Sequence, residues 1–431
     1  VRLWCPTGKH RVLAASEDTE WIVQLHCPPA GTPHNVVLEL VRQLAEDVSY
    51  YYPKTDGEIY CSLRHYHSPH IIQEWMGKLS PCKRDTLKLL QSNSQLSEAF
   101  GGLLKFPGLW EGFQLGNIHK HMALHCDKEL ITYLTFIQQS WEHIVDHNVD
   151  LMQLVDFSTV RHLQLLAPTL SCADHEELRA KFRSGTIFSN VEGRALLARL
   201  EKNVLHFHAM IPSIRSFHEN MKLFSVTVKI IRRLLLPGSY RKSFSESLRS
   251  IWTSPDPPVI EVDEGIFQVA KSALSFEVAY WQLVLAALRN FARLGNEGPR
   301  VDRDDRIDGH IEPTALAYFQ RRALLLGFQS DVIRHGARSD TGIKGLRRND
   351  GPADEQIAQL SRRWGRPHSR VYRQIQRVAF LQQLSDRTRM EHLSVPSLLS
   401  IATLFKSTID KSTETSLRVD SIPNLQDRAV E

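Results

Sequence analysis

Helical periodicity dominates the chain from Asn35 onward, and this constrains the fold more than any other feature. Asn35 can cap a helix running to about Tyr50 with Val37, Leu40, Val41 and Leu44 on one face. Ser80-Pro81 sets an N-cap before proline at the first helical position and opens a helix through Leu89 and Leu90. Further helices fit Gln95–Leu104, Asn117–Leu124, Asp127–Val145, Val191–Phe207, Pro212–Leu236, Gly265–Leu294 and Pro313–Phe328. The longest apolar run, Val278–Leu288, is too short to span a bilayer and carries Gln282, so it predicts a buried helix and no membrane partner.

The exception is the start. Val1, Leu3 and Trp4 suggest a short strand, Gly8 a turn, and Val12–Ala15 a helix, followed by a second strand at Glu20–His26. The expected fold is therefore mostly α with a small N-terminal α+β unit, a β-α-β followed by a multi-helix body. Its divisions are residues 1–50, a helical domain 51–253, a second helical domain 262–406 and a flexible tail 407–431. Ser254–Glu261 reads as a stiff extended linker, and Gly336–Pro352 as a loop.

Charge is unevenly spread. Residues 321–390 hold fifteen Lys/Arg against six Asp/Glu, a surplus of nine, whereas the whole chain has a net charge of only +5. A polyanionic partner is expected at this segment. Six cysteines, Cys5, Cys27, Cys61, Cys82, Cys126 and Cys172, are widely spaced without a C-x-x-C, which fits reduced thiols and an intracellular location.

Gly8-Lys9-His10-Arg11 places basic side chains and free backbone amides at a helix start, a recipe for holding phosphate. The turn resembles the second box of the ParB/sulfiredoxin-like superfamily. Gly8 falls on the family glycine, and His10 and Arg11 on its basic pair. The resemblance implies a nucleotide- or phosphate-binding site and a nucleoside triphosphate as ligand. Lys9 stands where ParB proteins carry Glu and sulfiredoxins their reactive Cys, so sulfiredoxin chemistry is not expected. The upstream box of that fold would precede Val1, so the unit is expected to be truncated at its N-terminus.

A second resemblance covers most of the chain. Its motifs are Asp56-Gly57-Glu58-Ile59-Tyr60, Leu79-Ser80-Pro81-Cys82-Lys83-Arg84, Pro107-Gly108-Leu109-Trp110, Leu324-Leu325-Leu326-Gly327-Phe328 and Arg362-Arg363-Trp364-Gly365-Arg366-Pro367. With the opening turn, this layout resembles a fungal family of uncharacterised proteins marked by a Leu-Gly-Phe motif, the domain of unknown function 3723. It implies a fungal origin and no established activity.

Asp354–Arg377 has the apolar spacing of a helix-turn-helix, with Ser361, Gly365 and Val371 at the small, turn and apolar positions. Arg362, Arg363, Arg366, Arg370, Arg373 and Arg377 are its expected contacts to nucleic acid. DNA is the expected partner, which would suit a nuclear location. His121 and His125, spaced i, i+4, suit zinc only with a third ligand. No carboxylate or Cys pair completes the set, so no metal is expected. The functional expectation is a nucleic-acid-associated protein with a phosphate-binding turn. One rival is a nucleotide hydrolase or nuclease using the same turn, with Glu17 or Glu20 as general base. The other is a non-catalytic helical scaffold or interaction protein. No catalytic residue is assigned, and the oligomeric state is open.

Overall fold

A computed structural model describes residues 54–338, apart from 170–171, 208–209, 237, 239–241, 271–272 and 296–310, together with a few residues between 29 and 41. Val36, Val37, Leu40 and Val41 are helical, in agreement with the expected first helix. The expected N-terminal β-α-β, the helix-turn-helix and the tail lie outside the described residues.

The chain then runs α1 (Asp56–His65), α2 (Pro69–Gly77), α3 (Pro81–Ser92), α4 (Ser94–Gly101), a 3-10 turn η1 (Pro107–Gly112), α5 (Leu115–Met122), α6 (Asp127–Ile144), α7 (Val149–Leu154), α8 (Phe157–Leu163), α9 (Cys172–Arg183), α10 (Arg194–Leu205), α11 (Ile214–Leu235) and α12 (Phe244–Arg249). An antiparallel hairpin follows, β1 (Val259–Asp263) and β2 (Ile266–Val269). The last elements are α13 (Phe276–Arg289), α14 (Phe291–Leu294), α15 (Pro313–Leu325) and α16 (Asp331–Ala337).

Local chemistry explains many of the boundaries. Thr55 and Glu58 form a reciprocal capping box at α1, as do Ser213 and Ser216 at α11 and Ser243 and Glu246 at α12. Asn93, Asn148, Asp156, Ser275 and Ser330 each cap one helix through a side-chain oxygen. Buried positions on α6 recur at helical spacing: Leu130, Tyr133, Leu134, Ile137, Trp141 and Ile144. The same holds on α11 for Phe217, Met221, Phe224, Val228, Ile231 and Leu235, and a connected set of buried apolar residues extends from Ile59 to Ile333. Trp141 donates from its indole N–H to the Pro212 carbonyl at 2.8 Å, fixing α6 to the entry of α11.

One expected helix begins differently. Gly265–Leu294 was expected to be helical throughout, but Ile266–Val269 pairs with Val259–Asp263 as a strand, and the helix starts only at Phe276. Part of Ser254–Glu261, expected to be an extended linker, forms the partner strand. Gly265 sits in the turn at φ +73, a conformation that favours glycine and ends any helix there. Val278–Leu288 is the buried helix its composition suggests. Among the described residues no helix is long and apolar enough to cross a membrane.

Candidate functional site

Gly8, Lys9, His10 and Arg11 lie outside the described residues, as do Arg362, Arg363, Arg366, Arg370, Arg373 and Arg377. Within the described residues the structure instead assembles three polar joints.

The first is a corner where three of the sequence motifs meet. Asp56, first residue of α1, accepts from Lys83 Nζ at 2.8 Å through Oδ1 and from the Leu115 amide at 3.0 Å through Oδ2. Asp56-Gly57-Glu58-Ile59-Tyr60 is thereby tied to the Leu79–Arg84 motif and to the start of α5. Tyr60 stacks on Trp110 with ring centroids 4.9 Å apart. A Cβ at Gly57 would run into the Trp110 carbonyl, and one at Gly108 into the Asp156 carbonyl. The two glycines let α1, η1 and the start of α8 touch backbone to backbone. Phe100, Phe113 and Phe217 complete an aromatic cluster around Tyr60 and Trp110. Beside it the His121 and His218 rings stack at 5.3 Å.

His121 does not pair with His125 as the i, i+4 spacing suggests. Helix α5 ends at Met122, and His125 adopts φ +51, taking it off the helix face. Among the described residues no group of three or more His, Cys, Asp or Glu could hold a metal ion. Cys61, Cys82 and Cys126 are free thiols. Burial pushes the Cys61 thiol up to about 12, far from a reactive thiolate.

The second joint is the Leu-Gly-Phe motif. Trp252 donates its indole N–H to the Leu326 carbonyl at 2.9 Å, and the Thr253 amide donates to the Gly327 carbonyl at 2.9 Å. Trp252 and Phe328 form an isolated antiparallel bridge. Gly327 has φ +93, and a Cβ there would strike the Thr253 carbonyl. Phe328 is fully buried against Phe276. The motif therefore seals the end of α15 onto the segment after α12.

The third joint is ionic. Arg289 of α13 reaches Glu261 at 2.5 Å and Glu264 at 2.9 Å. Arg322 of α15 reaches the same carboxylates at 2.6 and 2.8 Å. Glu261 also accepts from the Gly265 amide, and the Glu261 amide donates to Gln282 Oε1 at 2.7 Å. Burial alone would raise the Glu264 carboxyl, but Arg322 and Arg289 outweigh it and bring it down to about 2. Two acids and two bases thus clamp the hairpin to α13 and α15 with no net charge. Periodicity could not reveal this joint, because the four residues come from three separate elements.

These joints offer interior positioning chemistry. The two arginines of the ionic joint are paired with carboxylates and buried. Across residues 54–338 the charges nearly balance, thirty-four Lys/Arg against thirty-one Asp/Glu, whereas residues 339–390 carry eleven against five. The chain belongs to the family described as protein of unknown function (DUF3723) central domain, whose model matches residues 56–345. The match begins at Asp56, the residue that anchors the corner. No curated protein and no solved structure matches the chain.

Proposed function

We propose that this protein is a nucleic-acid-associated scaffold, in which a nearly electroneutral helical body carries a basic C-terminal segment to DNA. The partition of charge carries the reading: a surplus of three over the 285 residues 54–338 against a surplus of six over the 52 residues 339–390. A balanced body has little long-range pull on a polyanion, whereas a concentrated cationic segment gains affinity by releasing counterions from it. Arg362, Arg363, Arg366, Arg370, Arg373 and Arg377 are the proposed DNA contacts. Gly8, Lys9, His10 and Arg11 are the proposed ParB-like phosphate or nucleotide clasp, with Arg11 as direct phosphate ligand. Motif residues such as Asp56, Gly57, Trp110 and Gly327 serve as joints of the body, which favours a scaffold over an enzyme.

The test is retention of a labelled DNA duplex by the full chain across a salt series. Affinity should fall steeply with salt, and Arg370→Ala with Arg373→Ala should flatten the log–log slope by about 2, one unit for each phosphate no longer neutralised. Retention unchanged by that double replacement would overturn the DNA assignment. Titration of CTP, ATP and GTP against wild type and Arg11→Ala tests the clasp separately, and no binding by folded wild type would remove it.

A further inference from the structure

We propose that the buried His121–His218 pair is a proton-sensitive latch that holds the entry of α5 against α11 at neutral pH and releases it on acidification. The two rings share a hydrogen bond of 3.1 Å between His121 Nε2 and His218 Nδ1. On its far side, His218 Nε2 accepts from the Gln114 backbone amide at 3.2 Å. Gln114 precedes the first residue of α5, and the next amide, that of Leu115, is held by Asp56. The pair therefore secures one of two adjacent amides that dock this corner.

The direction of the hydrogen bonds fixes the protons. A backbone N–H can only donate, so His218 Nε2 is bare and the neutral ring carries its proton on Nδ1. That proton points at His121 Nε2, which is then bare as well, leaving the His121 proton on Nδ1. A proton added at His121 Nε2 would confront the His218 Nδ1–H. Moving the latter to Nε2 would confront the Gln114 N–H. Either arrangement sets two donors head to head in a site where His121 and His218 are only 4% and 2% exposed.

Among the described residues, the charges around the pair give a third proton no counterion. Helix α5 contributes His119 and Lys120, and α11 contributes Lys222, all of which oppose a further positive charge. Glu219 of α11 is paired with Lys222 at 2.9 Å. Asp56 of α1 is engaged by Lys83 of α3 and by the Leu115 amide. Glu111 of η1 interacts with Arg161 and Arg215. From α6, the Tyr133 hydroxyl is bonded to Ser216 and Asn220. Burial first, and then these cations, bring His121 down to about 3 and hold His218 well below its ordinary value.

Linkage sets the working range. An exposed imidazole titrates near 6.5, and the closed corner accepts no proton until far lower. Below pH 6.5 the ratio of closed to open corner therefore falls about tenfold per pH unit for each imidazole, or about a hundredfold for the pair. The latch responds near pH 6, well above the value at which His121 would titrate in place.

Amide hydrogen exchange of the full chain between pH 7.5 and 5, corrected for intrinsic chemistry, tests this. In wild type, protection of Gln114 should fall about a hundredfold per pH unit below pH 6, while Leu134 and Ile137 of α6 stay protected. His218→Gln keeps an acceptor for the Gln114 amide and should reduce the slope to about tenfold. The double replacement His121→Gln with His218→Gln should abolish it. A flat wild-type profile, an equal slope in the double variant, or loss of α6 protection in step with Gln114 would each overturn the proposal. Ring-nitrogen NMR of the wild type at pH 7.5 is independent of any variant's folding. Protons on both Nδ1 atoms are expected, and a proton on either Nε2 would overturn the latch.

Discussion

The motif corner and the hairpin clamp solve the same problem, fastening distant segments of a helical body, with opposite chemistry. At the corner the contacts are mostly neutral: stacked aromatic rings, two glycines that admit backbone contact, and an imidazole pair receiving one amide. At the clamp, three buried charges and the part-buried Glu264 meet around the hairpin turn, and each carboxylate touches both arginines. The corner is sensitive to gaining a proton, because imidazole has no room for one. The clamp is sensitive to losing a partner, because a buried charge left alone is costly. Two joints of one body can therefore fail under different conditions.

The largest effect is expected at the clamp. Arg322→Met leaves Glu261 and Glu264 sharing Arg289 alone, and should destabilise by about 3–5 kcal/mol in urea unfolding. A loss below about 1 kcal/mol would mean that the ionic joint contributes little. Acid should attack the same joint next. Because the folded Glu264 carboxyl is held at about 2, its stabilisation is fully present above the unfolded value of 4.5 and is lost as pH falls through about 2. That stabilisation is on the order of 3 kcal/mol. Unfolding curves from pH 5 to 2 should therefore be steeper in wild type than in Glu264→Gln, and parallel curves would contradict the assignment. The two joints thus lose stability in different windows, the corner from about pH 6.5 downward and the clamp from about 4.5.

At the corner the limiting factor is space. Gly57→Ala places a methyl group against the Trp110 carbonyl, a backbone atom that cannot rotate away, and should cost about 1–3 kcal/mol despite the better helix propensity of alanine. Gly116, in the first turn of α5, has nothing within 4 Å of an added Cβ, so Gly116→Ala should be neutral or slightly stabilising. Thermal melts of the two variants that shift equally would show that close packing at Gly57 is not what the corner needs.

How much of this was legible depends on how far apart the partners lie in the chain. Ser80-Pro81 and the run Val278–Leu288 carry their signals locally, and both gave the expected helices. Gln282, the polar interruption in that run, points inward to the Glu261 amide, a partner no periodicity could supply. The hairpin escapes sequence patterning because Pro255, Pro257 and Pro258 resemble a linker and the four residues of β2 merge with the helical pattern after them. Charged residues such as Glu261 and Arg322 read as solvated faces until the fold buries them together. The histidines show the same limit. The sequence pairs His121 with His125 four residues on, whereas the fold pairs it with His218, nearly a hundred residues away. The motifs Asp56–Tyr60, Pro107–Trp110 and Leu324–Phe328 were visible as signatures, but their role as joints emerges only from their contacts.

The smallest expected effect separates charge from position at the corner itself. Lys83 and Asp56 form an ion pair at 2.8 Å, superficially like those of the clamp. The Lys83 side chain, however, is 41% exposed, so water screens the pair on the lysine side. Asp56 would still accept from the Leu115 amide once Lys83 is replaced, and Lys83→Met preserves most of the aliphatic stem. The replacement should cost no more than about 1 kcal/mol, several times less than Arg322→Met, and the cost should shrink further in high salt. Asp56→Ala removes the acceptor of the Leu115 amide as well and should cost more than Lys83→Met at every salt concentration. If the two corner replacements prove equal and both vanish in salt, the corner is held by charge after all and its contrast with the clamp disappears.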